Sequence, residues 1–131
     1  MEEIFRITKD VKQSISLKEL AADRLKDIRK LDKPYKIVEE YYEIIKEIVT
    51  AIMYAEGWKT LSHKALFTYL QNNHKQHFSE GDFRLMDKLR VTRNDLMYYG
   101  KRVDEAFLIN NEARIKIVID KLFTLLNSKL R

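Results

Sequence analysis

The chain has 131 residues, no cysteine and a formal net charge of +5. This length fits a single domain with one core, and the lack of cysteine excludes disulfides, thiolate nucleophiles and cysteine-based metal sites. No apolar run approaches a membrane span, and the first residues lack the basic and apolar regions of a secretion signal, so we expect a soluble cytoplasmic protein. Three glycines, one proline and apolar residues at helical spacing predict an all-α fold. The many charged residues are typical of a thermophile.

The first thirty residues are predicted to be helical. Ile4, Ile7 and Val11 have the spacing of an amphipathic helical turn or two. Ser16 and Glu19 form a capping-box pattern, which indicates that a helix could restart there. Residues 3–31 therefore form either one helix or two.

A long second helix is predicted to begin near Pro34 and to run to about Glu56, with Gly57 as its C-terminal cap. Its apolar residues cover both flanks, which indicates a central position in the fold. Thr60 or Ser62 would cap a third helix that ends near Asn73. The polar residues 72–77 are predicted to be a loop.

The fourth helix is predicted to begin at the capping pattern Ser79–Asp82 and to end at Gly100. Asp104 would cap a last helix with a broad apolar stripe. The whole pattern predicts one domain over residues 1–131, an antiparallel up-and-down bundle of four long helices plus a shorter one.

An arginine stands in the apolar stripe of the fourth helix. At about 100° per residue, five apolar side chains lie within roughly 80° of Arg93. They are Leu85, Met86, Leu89, Leu96 and Met97. A guanidinium in that position must reach solvent, find an acceptor or face a cleft. Beside it, Arg90, Asn94 and Tyr98 follow an i, i+4, i+8 spacing and form one row. This pattern is typical of a site at the edge of a packing surface.

Arg93 and Asn94, with four residues between Arg93 and Tyr98, resemble the signature of HEPN (higher eukaryotes and prokaryotes nucleotide-binding) domains. The family motif is an arginine, usually followed by a polar residue, with a histidine four to six positions later; here Tyr98 takes the histidine position. The tyrosine-rich second helix, the break at Gly57 and the Ser62–His63 helix start are also similar. The similarity in layout covers about Ser16 to Asn127.

The resemblance implies a homodimer that binds RNA or nucleotide and that could partner a small nucleotidyltransferase. HEPN ribonucleases cleave RNA without a metal, using the arginine and histidine of two protomers across a dimer cleft. A tyrosine, with an unperturbed pKa of about 10, is a poor base for that reaction, so we expect binding without robust catalysis. The candidate binding residues are Arg90, Arg93, Asn94, Tyr98 and His63. Arginine can clamp a phosphate, and asparagine can hold a ribose or phosphate oxygen.

Two other functions fit the sequence. One is a metal-independent RNA endonuclease of the toxin–antitoxin type that uses Arg93 and Asn94, with Tyr98 in place of histidine. The other is a structural helical adaptor in which Arg93 pairs with a carboxylate, either Glu40 or Asp120.

The histidines and the tryptophan carry weaker signals. His63 could make a local hydrogen bond at its helix start, or it could lie near the motif and supply the missing imidazole. His74 and His77 have a metal-binding spacing, but no third ligand is evident, and we expect no metal or cofactor. Trp58 is expected to be exposed or at an interface. The other aromatic residues of its cluster are expected in the core: Tyr35, Tyr41, Tyr42, Tyr54, Phe67 and Tyr69.

Overall fold

The computed structural model describes residues 3–131 and has the predicted all-α architecture. Five helices are joined by short connections, and two short strands pair near one end of the bundle. In chain order the elements are β1 (Ile4–Arg6), α1 (Val11–Asp27), α2 (Pro34–Glu56), β2 (Trp58–Thr60), α3 (His63–His74), α4 (Glu80–Tyr99) and α5 (Glu105–Lys129). Short 3-10 turns follow α1 and α3, at Ile28–Lys30 and Lys75–His77.

The N-terminal segment differs from the prediction. Residues Ile4–Arg6 form an antiparallel strand against β2, in a register that pairs Ile4 with Thr60 and Arg6 with Trp58. The Ile7 amide continues this contact, since it donates to the Gly57 carbonyl at 2.9 Å. The expected helical turn is therefore wrong, because pairing with a distant segment overrides the local apolar spacing.

Of the two alternatives for residues 3–31, the structure has one α-helix, and it covers only Val11–Asp27. Asp10 caps α1 by accepting from the Gln13 amide at 3.0 Å, and the helix continues without a break to Asp27. The alternative of a restart at Ser16 is therefore excluded, since Ser16 and Glu19 lie inside α1. A capping pattern has this role only where a helix begins, and here Asp10 has already started it.

The four long helices alternate in direction. The first turn of α1 contacts the last turns of α2, where the Ser14 hydroxyl donates to the Ala51 carbonyl at 2.8 Å. At the other end of this pair Arg24 bonds to Glu40 at 2.6 Å. The start of α4 likewise meets the later part of α5, where Lys121 donates to Asp82 at 2.6 Å. Helices α2 and α5 run in the same direction, since side chains near the start of each and side chains at the end of each are paired. The long helices therefore run up, down, up and down in chain order.

Helix α2 occupies the centre of the bundle, as predicted. It packs against α1, α3, α4 and α5. Its fully buried large side chains are Tyr41, Tyr42, Ile44, Ile45, Ile48, Ile52 and Met53. Within residues 3–131, none of the helices is long and apolar enough to cross a membrane.

The connection between α3 and α4 is shorter than predicted. Helix α3 begins after Ser62, whose hydroxyl accepts from the Ala65 amide at 3.2 Å, and continues to His74. The residues from Asn72 were expected in a loop, but a 3-10 turn over Lys75–His77 follows the helix directly. Apart from the buried His74, the polar side chains of residues 72–77 are exposed on the ordered helix and turn, and this is why the sequence pattern resembles that of a loop.

Candidate functional site

Helix α4 carries the candidate site and is fixed firmly at both ends. At its start the Ser79 hydroxyl accepts from the Asp82 amide at 3.1 Å, while the Asp82 carboxylate accepts from the Ser79 amide at 2.9 Å. At its end Gly100 adopts a left-handed conformation with φ of 63°. Both caps agree with the sequence prediction. Between them Leu89 is fully buried against the core, and Arg93 follows one turn later.

Arg93 lies against helix α2, and only 13% of its side chain is exposed. Its guanidinium sits 5.5 Å from the ring centroid of Tyr42, which is a cation–π distance. Its polar contacts are long: 3.4 Å to the Asn94 side-chain oxygen and 3.8 Å to a Glu43 carboxylate oxygen. Glu43 makes a closer contact with Lys46, at 2.9 Å. Arg93 is therefore enclosed but weakly bonded.

The carboxylate partner differs from both residues expected. Glu40 is bonded to Arg24 of α1 at 2.6 Å, and Asp120 is an exposed residue of α5. Glu43 lies one helical turn after Glu40, and the rotation of α2 about its axis turns Glu43 toward α4. The pairings of Arg93 with Glu40 and with Asp120 are therefore wrong.

The row of Arg90, Asn94 and Tyr98 runs from a half-buried environment to an exposed one. Arg90 is 21% exposed and donates twice to Asp87, at 2.9 and 3.1 Å. Asn94 is half-buried and accepts from Arg93. Tyr98 is 69% exposed, as an aromatic platform for a base would have to be.

His63 is brought to the same place from a different helix. Its ring centroid lies 5.8 Å from that of Tyr42, which also contacts Arg93. Burial lowers the pKa of His63, and the positive charges of Lys46 and Arg93 lower it further. The imidazole is therefore neutral at pH 7 and can accept a proton. As the first residue of α3, His63 also places the partial positive charge of a helix N-terminus at the site.

Tyr42 is the residue of this site that the sequence prediction assigned only to the core. Its side chain is fully buried and its hydroxyl has no hydrogen-bond partner among residues 3–131. Burial raises the pKa of Tyr42 to about 12, although Arg93 and Arg90 oppose the shift. No sequence signal separates Tyr42 from the adjacent Tyr41, because the distinction depends on which neighbour each ring faces.

The other candidate residues serve the fold. His74 is buried and its Nε2 lies 2.6 Å from Glu56, while the ring of the exposed His77 is 6.2 Å away. Across residues 3–131 no group of three or more His, Cys, Asp or Glu side chains could hold a metal ion. Trp58 is half-buried in β2, with the Arg6 guanidinium 5.3 Å from its ring centroid. The expectation of an exposed or interface tryptophan is met only in part.

The cluster of Arg93, His63 and Tyr42 combines a mostly buried guanidinium, a neutral imidazole and an unpaired phenol, and the exposed ring of Tyr98 lies farther along α4. These groups can bind an oxyanion, accept a proton and stack on a base. Comparison of the chain with known protein families and with curated protein sequences found no match.

Proposed function

We propose that this chain is a HEPN-like protein that binds RNA or nucleotide through Arg93, without robust catalysis. The observation that carries the proposal is the incomplete bonding of that guanidinium. Its contacts at 3.4 and 3.8 Å are longer than good hydrogen bonds, so several of its N–H donors are free to bind a ligand. A phosphate offers two oxygens in the geometry of the guanidinium fork, with shorter and stronger bonds.

The surroundings of Arg93 suit a nucleotide. Six lysines and arginines against two aspartates lie between Arg84 and Arg102, which favours a polyanion over a cation. The side chains of Tyr98 and Tyr99 are 69% and 75% exposed and follow Arg93 on the same helix. A phosphate on Arg93 with a base stacked on one of these rings would use both features.

RNA cleavage is the second candidate function, and His63 is the observation that favours it. A tyrosine phenol is a poorer general base than an imidazole for removing a proton from a ribose hydroxyl. The neutral imidazole of His63 can do so, and it contacts the same tyrosine ring as Arg93. A metal-independent endonuclease would then use Arg93 for the phosphate and His63 as the base.

A structural adaptor is the third candidate. The contact between Arg93 and Glu43 is made within one chain, as a purely structural role would require.

The homodimer and a nucleotidyltransferase partner remain part of the main proposal. They are supported by apolar side chains left exposed on the last two helices, since Met97 is 51% exposed and Ile109 is 80% exposed.

The binding proposal is tested by a filter-binding titration of labelled single-stranded RNA at fixed salt. Arg93→Ala should weaken binding by about tenfold or more, since hydrogen bonds to a charged group contribute roughly 1.5–3 kcal/mol. Lys88→Ala is the matched control, because Lys88 is an exposed cation of the same helix that lies over Phe107. Its loss should be less than about threefold.

Equal losses in the two variants would mean that binding depends only on diffuse charge. Failure of the unmodified protein to bind RNA or nucleotide would leave the adaptor function in place. Thermal melts of both variants show that each is folded under the conditions of the titration.

A further inference from the structure

Three buried tyrosines in this protein differ in what their hydroxyls contact. Tyr41 donates to Glu112 at 2.7 Å, and Tyr69 donates to Glu56 at 2.8 Å. The Tyr42 hydroxyl is equally buried, but no residue between 3 and 131 bonds to it. A buried hydroxyl without a partner destabilises a fold, so its presence requires an explanation.

The charges around Tyr42 identify what the hydroxyl lacks. The groups that act on its phenol are the cations Arg93 and Arg90 and the carboxylates Glu43 and Asp87. Both carboxylates are already engaged, Glu43 by Lys46 and Asp87 by Arg90, each at 2.9 Å. The Tyr42 hydroxyl can donate a hydrogen bond, but its cationic neighbours Arg93 and Arg90 are hydrogen-bond donors as well and cannot accept it. The missing group is an acceptor, and beside a guanidinium and a helix N-terminus an anionic oxygen fits best.

We propose that the Tyr42 hydroxyl donates a hydrogen bond to an oxygen of a terminal phosphate that Arg93 clamps. The ligand is a nucleotide or a 5′-phosphorylated RNA end. This inference rests on the proposed function and specifies its ligand. The weak contacts of Arg93 allow its guanidinium to move onto the phosphate as the ligand enters.

The depth of the hydroxyl selects a terminal phosphate over an internal one. Tyr42 is fully buried, and the Arg93 guanidinium lies 5.5 Å from its ring centroid, so a ligand oxygen that bonds to both groups must enter a buried space beside the guanidinium. A phosphate with one substituent can enter that space. An internal phosphodiester carries a ribose on each side and is too bulky to do so.

Tyr42→Phe tests the inference, with Tyr41→Phe as a matched control on the adjacent residue. Calorimetric titration with AMP should show about tenfold weaker binding for Tyr42→Phe, and its melting temperature should stay the same or rise, because an unpaired hydroxyl is removed. Tyr41→Phe should melt at a lower temperature, since Glu112 loses its partner, and should bind AMP normally. Any binding of adenosine, which lacks the phosphate, should be equal in all three proteins.

A second arm compares one RNA oligonucleotide with a 5′-phosphate and with a 5′-hydroxyl. The unmodified protein should prefer the phosphorylated form by about tenfold, and Tyr42→Phe should remove the preference. Equal affinity of the unmodified protein for both forms would overturn the inference in favour of internal phosphates. So would a Tyr42→Phe variant with a lower melting temperature and normal AMP binding, because the hydroxyl would then have a structural role.

The two proposals fail in different ways. If Arg93→Ala weakens RNA binding and Tyr42→Phe leaves AMP binding and the 5′-phosphate preference intact, only the inference about Tyr42 is wrong. If the unmodified protein binds neither AMP nor RNA, both are wrong.

Discussion

Replacing Glu56 with alanine should lower the free energy of unfolding by about 3–5 kcal/mol, because one carboxylate joins three helices. Glu56 is the last residue of α2. It accepts from the Tyr69 hydroxyl at 2.8 Å and lies 2.6 Å from His74 Nε2, both on α3. Its second oxygen lies 3.3 Å from the Lys129 ammonium at the end of α5.

The magnitude follows from the groups that Glu56→Ala would leave unpaired. The Tyr69 side chain is buried, and the His74 side chain is only 5% exposed. Each buried polar group without a partner costs about 1–3 kcal/mol, and the half-exposed Lys129 adds little. For a chain of this length the melting temperature should fall by roughly 10–15 °C. Glu56→Gln keeps an acceptor for one of the two donors and should be intermediate.

Thermal and urea denaturation at pH 7, followed by circular dichroism, measures the effect. Asp27→Ala is the control, because its ion pair with Lys30 is exposed on both sides, at 67% and 70%. It should change the unfolding free energy by less than about 0.5 kcal/mol. A loss below about 1 kcal/mol for Glu56→Ala would refute the reasoning, since it would show that His74 and Tyr69 find other partners.

The same carboxylate predicts a dependence on pH. Burial alone would raise the pKa of Glu56, but hydrogen bonds from His74 and Tyr69 and the nearby charges outweigh it and lower the pKa below 4.5. A lowered pKa in the folded state stabilises the protein above the unfolded value, and this contribution disappears as the pH falls through the folded value. The stability gap between the unmodified protein and Glu56→Ala should therefore be constant near neutral pH and shrink below pH 4.5. A gap that stays constant down to pH 3 would contradict this assignment.

Two further predictions concern the function. If the proposed HEPN-like function holds, Tyr98→His supplies the histidine that the family motif has at this spacing from Arg93, and metal-free RNA cleavage should rise above that of the parent in a gel assay. Brisk cleavage by the parent that depends on Arg93 and survives Tyr98→Phe would place the base elsewhere, with His63 as the first residue to test. The protein should sediment as a dimer at micromolar concentration, because apolar side chains are exposed on α4 and α5; a single 15.7 kDa species would rule this out.

Local chemistry made most of the helix ends predictable. The capping box at Ser79 and Asp82 and the left-handed glycines Gly57 and Gly100 are determined by residues within one turn of each helix end. The central position of α2 was predictable as well, because its apolar residues surround it. Strand β1 was not, since it pairs with a strand more than fifty positions later.

The site was predictable in its elements but not in its contacts. The sequence places Arg93 on an apolar stripe, but the rotation of α2 decides that it meets Glu43 and not Glu40. Adjacent residues on a helix point about 100° apart, so Tyr41 and Tyr42 face different neighbours. Tyr41 meets the carboxylate of Glu112, and Tyr42 meets the guanidinium of Arg93. Such contacts depend on how helices pack, and a single sequence does not record that.

The small sheet connects residues 3–6 to the site through one threonine. The Thr60 hydroxyl donates to the Glu3 carbonyl at 2.5 Å and accepts from the Ser62 amide at 3.1 Å. Ser62 caps α3, and His63 is the first residue of that helix. An affinity tag or a fused protein joined directly before Glu3 would therefore displace the segment that positions the His63 imidazole. A tag joined through a flexible spacer would not. Recombinant versions that differ only in this junction are expected to differ in ligand affinity.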